Sequence, residues 1–224
     1  MVQEASPMPI AAGDAASGKH HPENRFQWDF VTPGIPDGAF ADAPGFAPTP
    51  MELRVMLLAH LRPQPDSLVW DVGGGTGALA LEIARLLPHG AVLALERDPD
   101  ALHLLARNRR HFQVNNLKII PGSAPDDLGQ LDGEPDRVLL EVSRPDQAIL
   151  DAVWPCLRPH GRLVISTSNL AGLVDATNAL RRLQATDLQV VQATVHRLQQ
   201  RGRDVRLAAA EPLFVIAAER PGMP

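Results

Sequence analysis

The sequence predicts an α/β fold with a mostly parallel, seven-stranded sheet that ends in an antiparallel hairpin. From residue 68 onward, short apolar segments alternate with amphipathic segments of helical period. The connections between them are short, which favours a parallel sheet with helices on both faces. The last two apolar segments have no helical pattern between them, and this favours an antiparallel pair.

The elements follow in order along the chain. Thr49 is predicted to be the N-cap of a first helix that ends near residue 61, with Pro50 at the first helical position and Glu52 completing a capping box. Five strands are then predicted at 68–72, 91–96, 117–121, 136–141 and 162–167. Four helices are predicted at 77–87, 99–112, 145–157 and 170–184. The hairpin strands are predicted at 188–198 and 205–217.

Composition and net charge restrict which domain organisation and which class of function we expect. Residues 1–24 lack apolar periodicity and are predicted to be a disordered tail, whereas 25–220 are predicted to form one domain. The net charge of -5 disfavours a nucleic-acid partner. We expect neither a membrane span nor a signal peptide, and the single cysteine fits a reducing compartment, so the expected location is the cytoplasm.

A glycine-rich loop follows the first predicted strand, which ends at Asp71 and Val72. Its spacing is G-x-G-x-G, tighter than the G-x-G-x-x-G of dinucleotide-binding folds. This form suits a ligand without a phosphate, and we predict that the loop binds S-adenosylmethionine. The alternative is a tight strand-to-helix turn without a ligand. The candidate cofactor-binding residues of the loop are Gly73, Gly74, Gly75, Thr76 and Gly77.

Two further loops at the same predicted edge of the sheet extend the cofactor prediction. Glu96 ends the second strand, where a carboxylate accepts hydrogen bonds from both ribose hydroxyls. Ser123 and Ala124 follow the third strand and are candidates to contact the adenine through their backbone groups. For this loop, the alternative is a simple helix-start turn.

The end of the fourth strand is the predicted substrate edge, because ligands of open α/β sheets lie outside the carboxyl ends of the strands. Glu141 is a candidate catalytic residue, as a general base or as a polar positioning group. Ser143 and Arg144 are candidates for substrate binding. A helix-start turn with a solvated arginine remains the alternative for each residue. The histidines show no metal-ligand spacing, so no metal site is predicted.

Several segments outside the glycine loop resemble the decarboxylating (cobalt-)precorrin-6B C15-methyltransferases of cobalamin biosynthesis. The resemblance spans about residues 25 to 220. Its most particular parts are the Gly34-Ile35-Pro36-Asp37 lead-in and the Arg144-Pro145 pair. The other matching stretches are 28–33, 71–77, 96–98, 122–125, Glu141, 159–162 and 209–214.

The resemblance implies a class I S-adenosylmethionine-dependent methyltransferase with a Rossmann-like fold. It implies methylation of C15 of a tetrapyrrole, with loss of carbon dioxide from the acetate side chain at C12. It also implies a homotetramer, a cofactor contact at Thr49 and a separate subunit for C5 methylation. The chain departs from the family at Pro50, where lysine is usual, and at Val142-Ser143, where the family carries two glycines.

Two other hypotheses remain open, the first because of these departures and the second because the family methylates C5 with a separate domain. The first is a methyltransferase on the same scaffold that acts on another small molecule or on a protein. The second is a non-catalytic subunit that binds the cofactor or a partner.

Overall fold

The structure is a computed structural model, and it describes residues 28–142, 144–202 and 204–222. The predicted tail at 1–24 and the candidate substrate residue Ser143 lie outside the described residues. The α-helices are α1 (Met51–Leu61), α2 (Ala78–Arg85), α3 (Pro99–His111), α4 (Gln147–Val153) and α5 (Leu170–Arg182). The strands are β1 (Leu68–Val72), β2 (Ala91–Glu96), β3 (Leu117–Pro121), β4 (Arg137–Glu141), β5 (Arg162–Thr167), β6 (Thr186–Ala193), β7 (His196–Arg201), β8 (Asp204–Ala209) and β9 (Leu213–Glu219).

Seven of these strands form one sheet in the order β3-β2-β1-β4-β5-β9-β6. Strands β1 to β5 pair in parallel, and β9 runs antiparallel to both β5 and β6. The predicted fold class is therefore confirmed. The first five strands agree with the prediction to within one residue, because β1, β2, β4 and β5 are short apolar runs that are mostly buried, and the edge strand β3 is apolar apart from Lys118.

Alternate residues of the strands enter two separate hydrophobic clusters, one on each face of the sheet. Val69 packs with side chains of α1, α2 and α3, such as Leu57, Leu81 and Leu105. Its neighbour Trp70 packs on the other face with side chains of α4 and α5. Burial on both faces fixes the strand register, and the register in turn sets which residues emerge at the carboxyl edge.

The C-terminal region differs from the predicted hairpin in the number of its strands. Two long strands at 188–198 and 205–217 were expected, but each divides into two. β6 and β9 remain in the main sheet, whereas β7 and β8 pair with each other as a separate two-stranded ribbon, here called the arm. One division falls at Ala210–Pro212, where Pro212 has no N–H for a ladder. Glu211 and Pro212 interrupt the apolar pattern in the sequence at this point, whereas the division after Ala193 has no such marker.

The predicted capping box at the start of α1 is wrong. Pro50 occupies the N-cap position, and no side chain caps the helix. The Thr49 hydroxyl donates instead to Glu141 Oε2 at 3.0 Å, and the Glu52 carboxylate accepts from Arg197 of the arm. Both side chains find partners far away in sequence, which local spacing cannot indicate.

The predicted helix at 145–157 is shorter in the structure. It begins at Gln147, where the Asp146 side chain accepts a hydrogen bond from the Ile149 N–H. A 3-10 turn at Trp154–Cys156 replaces its last part, because Pro155 cannot continue an α-helical ladder. Within the described ranges, no helix has the length and apolar character of a membrane span.

Candidate active site

The candidate site lies where the strand order reverses, between β1 and β4. In open α/β sheets this switch point opens a crevice at the carboxyl edge. A cavity of about 260 Å³ occupies it. Its lining residues come from the glycine loop, the start of α1 and the ends of β4 and β5, and include Thr49, Gly73, Thr76, Glu141, Val142, Ser166 and Thr167.

The backbone of the glycine loop requires glycine at two positions. Gly73 has φ of 90°, and a Cβ there would lie 2.4 Å from the Glu141 carbonyl oxygen. Gly77 has φ of 79°, and a Cβ there would lie 2.6 Å from Leu105 Cγ. Side chains are excluded by both conformation and space. The loop therefore presents bare backbone toward the crevice.

Glu96 fixes the other side of the loop. Its Oε2 accepts the N–H of Gly75 at 2.8 Å, and its Oε1 accepts the N–H groups of Arg97 and Asp98 at 2.8 Å each. These backbone donors hold the carboxylate at the end of β2, beside the loop. The predicted position of Glu96 is thus reproduced, with its charge stabilised by backbone dipoles.

The loop after β3 lies next to Glu96, because the Gly122 N–H donates to the Glu96 carbonyl at 2.9 Å. The Ser123 N–H donates to Asp127 Oδ2 at 2.9 Å, so this backbone donor is already engaged. Neither Ser123 nor Ala124 lines the 260 Å³ cavity. Glu96 does not line this cavity either.

Glu141 ends β4 and is half-buried in the crevice. Burial raises the pKa of Glu141 to about 7, against the opposing effects of the Thr49 hydrogen bond and the Arg54 charge. The nearby charge of Glu96 acts in the same direction as burial. A carboxyl with this pKa exchanges a proton near neutral pH, as a general acid or base requires.

Asp71 is a site residue that the sequence analysis placed only as the strand end. It is fully buried, and neither of its carboxyl oxygens has a hydrogen-bond partner among the described residues. Burial, followed by the charges of Glu141 and Glu96, raises the pKa of Asp71 well above its usual range. Asp71 does not line the cavity, and its Oδ2 lies 3.3 Å from where a Cβ of Gly74 would be, so the carboxyl is enclosed beneath the glycine loop.

The cavity lining differs from the sequence prediction in two respects. One predicted residue, Arg144, is absent from it, and two residues that were not predicted are present. Arg144 is exposed and its guanidinium donates to Asp175 Oδ2, at 3.1 and 2.9 Å, so it does not line the cavity. Ser166 and Thr167 line it, although they were not predicted as site residues. The sequence held one signal for Ser166 and Thr167, which is that β5 ends at the same sheet edge as β1 and β4.

In the described part of the chain, no group of three or more His, Cys, Asp or Glu residues could hold a metal ion.

The parallel sheet with an antiparallel β9, the glycine loop at the switch point and the carboxylate after β2 together define a Rossmann-like methyltransferase. A precorrin methyltransferase domain model matches residues 47–218. The chain therefore belongs to the precorrin methyltransferase family, as the sequence resemblance predicted.

Relatives and a solved structure support this assignment. The chain is 34% identical to the probable cobalt-precorrin-6B C(15)-methyltransferase (decarboxylating) of Pyrobaculum calidifontis, over 85% of this chain and 98% of the relative. It is 33% identical to the corresponding Salmonella typhimurium protein, over 75% and 86%. The precorrin-6y C5,15-methyltransferase structure from Geobacter metallireducens superposes with a TM-score of 0.78 at 29% identity, covering 85% of this chain and all of that one.

Proposed function

We propose that this chain methylates C15 of (cobalt-)precorrin-6B with S-adenosylmethionine and removes carbon dioxide from the C12 acetate side chain. The observation that supports the proposal most is the meeting of the bare Gly73 backbone with Glu141 in one crevice. A methyl donor on the loop and a proton-exchanging carboxyl on β4 would then face the same substrate. The names of the relatives describe both halves of this reaction.

The cofactor site comprises the glycine loop and the loops that flank it. Bound S-adenosylmethionine supplies an electrophilic methyl group on a sulfonium. The glycine loop would leave room for the amino-acid part of the cofactor, because it presents backbone without side chains. Glu96 accepts the ribose hydroxyls with the lone pairs that its backbone donors leave free. The proposed cofactor-binding residues are Thr49, Gly73, Gly74, Gly75, Thr76, Gly77, Glu96, Ser123 and Ala124.

Glu141 is the proposed proton-transfer residue. Decarboxylation breaks the bond between the acetate CH₂ carbon and the carboxylate, and the electron pair stays on that carbon. A proton from Glu141 then converts the CH₂ group to a methyl group, leaving a glutamate carboxylate. The Thr49 hydroxyl and the positive charge of Arg54 stabilise this carboxylate. Most of the remaining rate enhancement comes from orientation and desolvation of the reactants.

Substrate carboxylates are proposed to contact Ser143 and Arg144, which follow Glu141. Arg144 is exposed, so it reaches a ligand at the crevice mouth by exchanging its bond to Asp175. Guanidinium groups suit this task because they bind carboxylates with two parallel hydrogen bonds. We also propose that the chain forms a homotetramer and acts with a separate C5-methylating partner. Its proposed location is the cytoplasm, and residues 25–220 are proposed to form a single domain.

The decisive experiment is incubation of the full chain with S-adenosylmethionine carrying a labelled methyl group and with precorrin-6B or its cobalt form. We expect one labelled methyl group and one carbon dioxide per product. Glu141→Gln is expected to retain cofactor affinity and to lose decarboxylation. Absence of both methylation and decarboxylation in the parent chain would exclude the proposed reaction.

Val142 favours one competing function, a methyltransferase for another substrate on the same scaffold. Its side chain lines the cavity beside Gly73, where the family carries a glycine. If the substrate is a precorrin, Val142→Gly should leave turnover intact or increase it. If the parent methylates only non-tetrapyrrole acceptors and Val142→Gly gains activity on precorrin-6B, the competing function is correct.

A further inference from the structure

Arg54 is an arginine of α1 with a completely buried side chain. Its Nε donates to Glu82 Oε1 at 2.8 Å, and one terminal nitrogen donates to Asp37 Oδ1 at 2.7 Å. The guanidinium also donates to the carbonyl oxygens of Ile35 and Thr49. A buried cation is costly unless its charge and donors are satisfied, and here all three nitrogens have partners.

The partners of Arg54 tie the lead-in at 34–37 to two helices. Glu82 of α2 accepts the N–H groups of Gly34 and Ile35 at 2.7 and 3.2 Å in addition to Arg54. Asp37 accepts a second arginine, Arg197 of the arm, at 2.7 Å. The lead-in is therefore fixed by charged side chains before the chain reaches α1.

Thr49 connects this network to the candidate active site. Its carbonyl accepts from Arg54, and its hydroxyl donates to Glu141 Oε2 at 3.0 Å. Pro50 follows and restricts the backbone of Thr49 to extended conformations. Fixing the carbonyl of such a residue fixes its backbone and therefore the direction of its Cα–Cβ bond, from which the hydroxyl extends. Arg54 thus determines where the hydrogen-bond donor to Glu141 lies.

The charges around Glu141 come from three elements. Arg54 of α1 favours its ionised form, and Glu96 of β2 opposes it. Glu141 and Asp71 of β1 raise each other's cost of ionisation, because like charges in a buried site repel. Arg54 is the positive charge in this set, and it acts on Glu141 both through space and through Thr49.

We infer that Arg54 is a positioning residue for Glu141, which it orients through Thr49 and whose carboxylate it stabilises. The inference rests on the proposed function of Glu141 as the proton-transfer group. It assigns a role in the reaction to a buried arginine that contacts neither the crevice nor Glu141 directly.

The direct test is a pH titration of the Glu141 carboxyl by NMR in protein labelled with ¹³C at the glutamate side-chain carboxyl, assigned by its loss in Glu141→Gln. Thr49→Val removes the donor and is expected to raise the midpoint by roughly one pH unit, the shift of one lost hydrogen bond to a carboxylate. Arg54→Met is expected to raise it further, because charge and donor position are lost together. Thr49→Ser is expected to restore the parent midpoint.

A matched control separates this role from a purely structural one. Arg162 is also buried, and it donates to Asp187 Oδ2 at 2.7 Å at the opposite end of β5. Arg162→Met is expected to lower thermal stability without moving the Glu141 midpoint. If Arg54→Met does not fold, the Glu141 midpoints of Thr49→Val and Arg54→Lys decide between the two roles. An unmoved midpoint in both, or an equal movement in Arg162→Met, would overturn the inference.

The pH profile of decarboxylation extends the test to catalysis. With Glu141 as the acid, the alkaline limb of kcat should move upward in the same variants, and in Arg54→Lys, which leaves the proposed cofactor-binding residues intact, KM for S-adenosylmethionine should change little. A parent chain without turnover would contradict the proposed function, and the NMR titration would still decide the role of Arg54. A moved midpoint with an unmoved kcat profile would show that the positioning has no part in the reaction.

Discussion

The two sides of the crevice are built in different ways. On the β1–β2 side, Glu96 is held by backbone N–H groups from residues close to it in sequence or in the adjacent loop. On the β4 side, Glu141 is held by Thr49, 92 residues away, which depends in turn on Arg54. The first side is held by local backbone hydrogen bonds, so it tolerates many substitutions elsewhere in the chain. The second is a long-range arrangement of side chains.

Gly73→Ala should have the largest effect, because the two sides meet there. The added Cβ would lie 2.4 Å from the Glu141 carbonyl, and φ of 90° disfavours alanine. Overpacking and backbone strain together should cost about 3 kcal/mol of unfolding free energy. Gly45→Ala is the control, since it has φ of 89° with open space around its Cβ, and should cost about 1 kcal/mol. Equal losses in denaturant unfolding would refute a steric role for Gly73.

Glu96→Ala tests the local side alone. We expect S-adenosylmethionine to bind more weakly by roughly 1.5–3 kcal/mol, the loss of hydrogen bonds to a charged group. Calorimetric titration of the parent and the variant measures this difference. Asp100→Asn, a change in the exposed first turn of α3, serves as control and should bind like the parent. An unchanged dissociation constant in Glu96→Ala would remove Glu96 from the cofactor site.

Asp71→Asn examines the carboxyl that lies between the two sides. Because the pKa of Asp71 is raised in the folded state, its contribution to stability is complete below about pH 4 and declines as pH rises toward its folded pKa. The variant should therefore gain stability relative to the parent as the pH is raised from 4 to 8. Thermal melts of the cofactor-free proteins across this range measure the gain. A constant difference at every pH would contradict the raised pKa.

Arg144→Ala should have the smallest effect on the fold. Its ion pair with Asp175 is exposed, so the loss should be about 0.5 kcal/mol or less. Arg182→Ala, which removes the exposed pair with Asp151, is the matched control. If Arg144 contacts the substrate, KM for the tetrapyrrole should rise only in Arg144→Ala. Equal KM values in both variants would exclude that contact.

The sequence predicted the local side well for a physical reason. The glycine spacing and the strand that ends at Glu96 both depend on residues within a few positions of one another. Backbone conformation and burial patterns express such relations directly. The positions of the five parallel strands along the chain followed from the same local signals.

The other side could not be predicted from spacing. Thr49 looked like a helix cap, yet its hydroxyl binds Glu141, and Glu52 binds the arm. Arg54 gave no signal, because nothing in a helical sequence shows that an arginine will be buried against Glu82. The separation of the arm from the main sheet had only one local sign, the interruption of the apolar pattern at Glu211 and Pro212. Each of these features depends on tertiary contacts between distant segments.

The trio of Arg54, Glu82 and Asp37 has a consequence for how such a chain can evolve. Removal of one member leaves a buried charge without its counterpart, which costs far more than the loss of the whole set. Single substitutions at these positions are therefore expected to destabilise the fold, and the three positions are expected to change together or not at all. Among descendants of this chain, the lead-in and the two helices should consequently be inherited as one unit, while the exposed arm surface diverges freely.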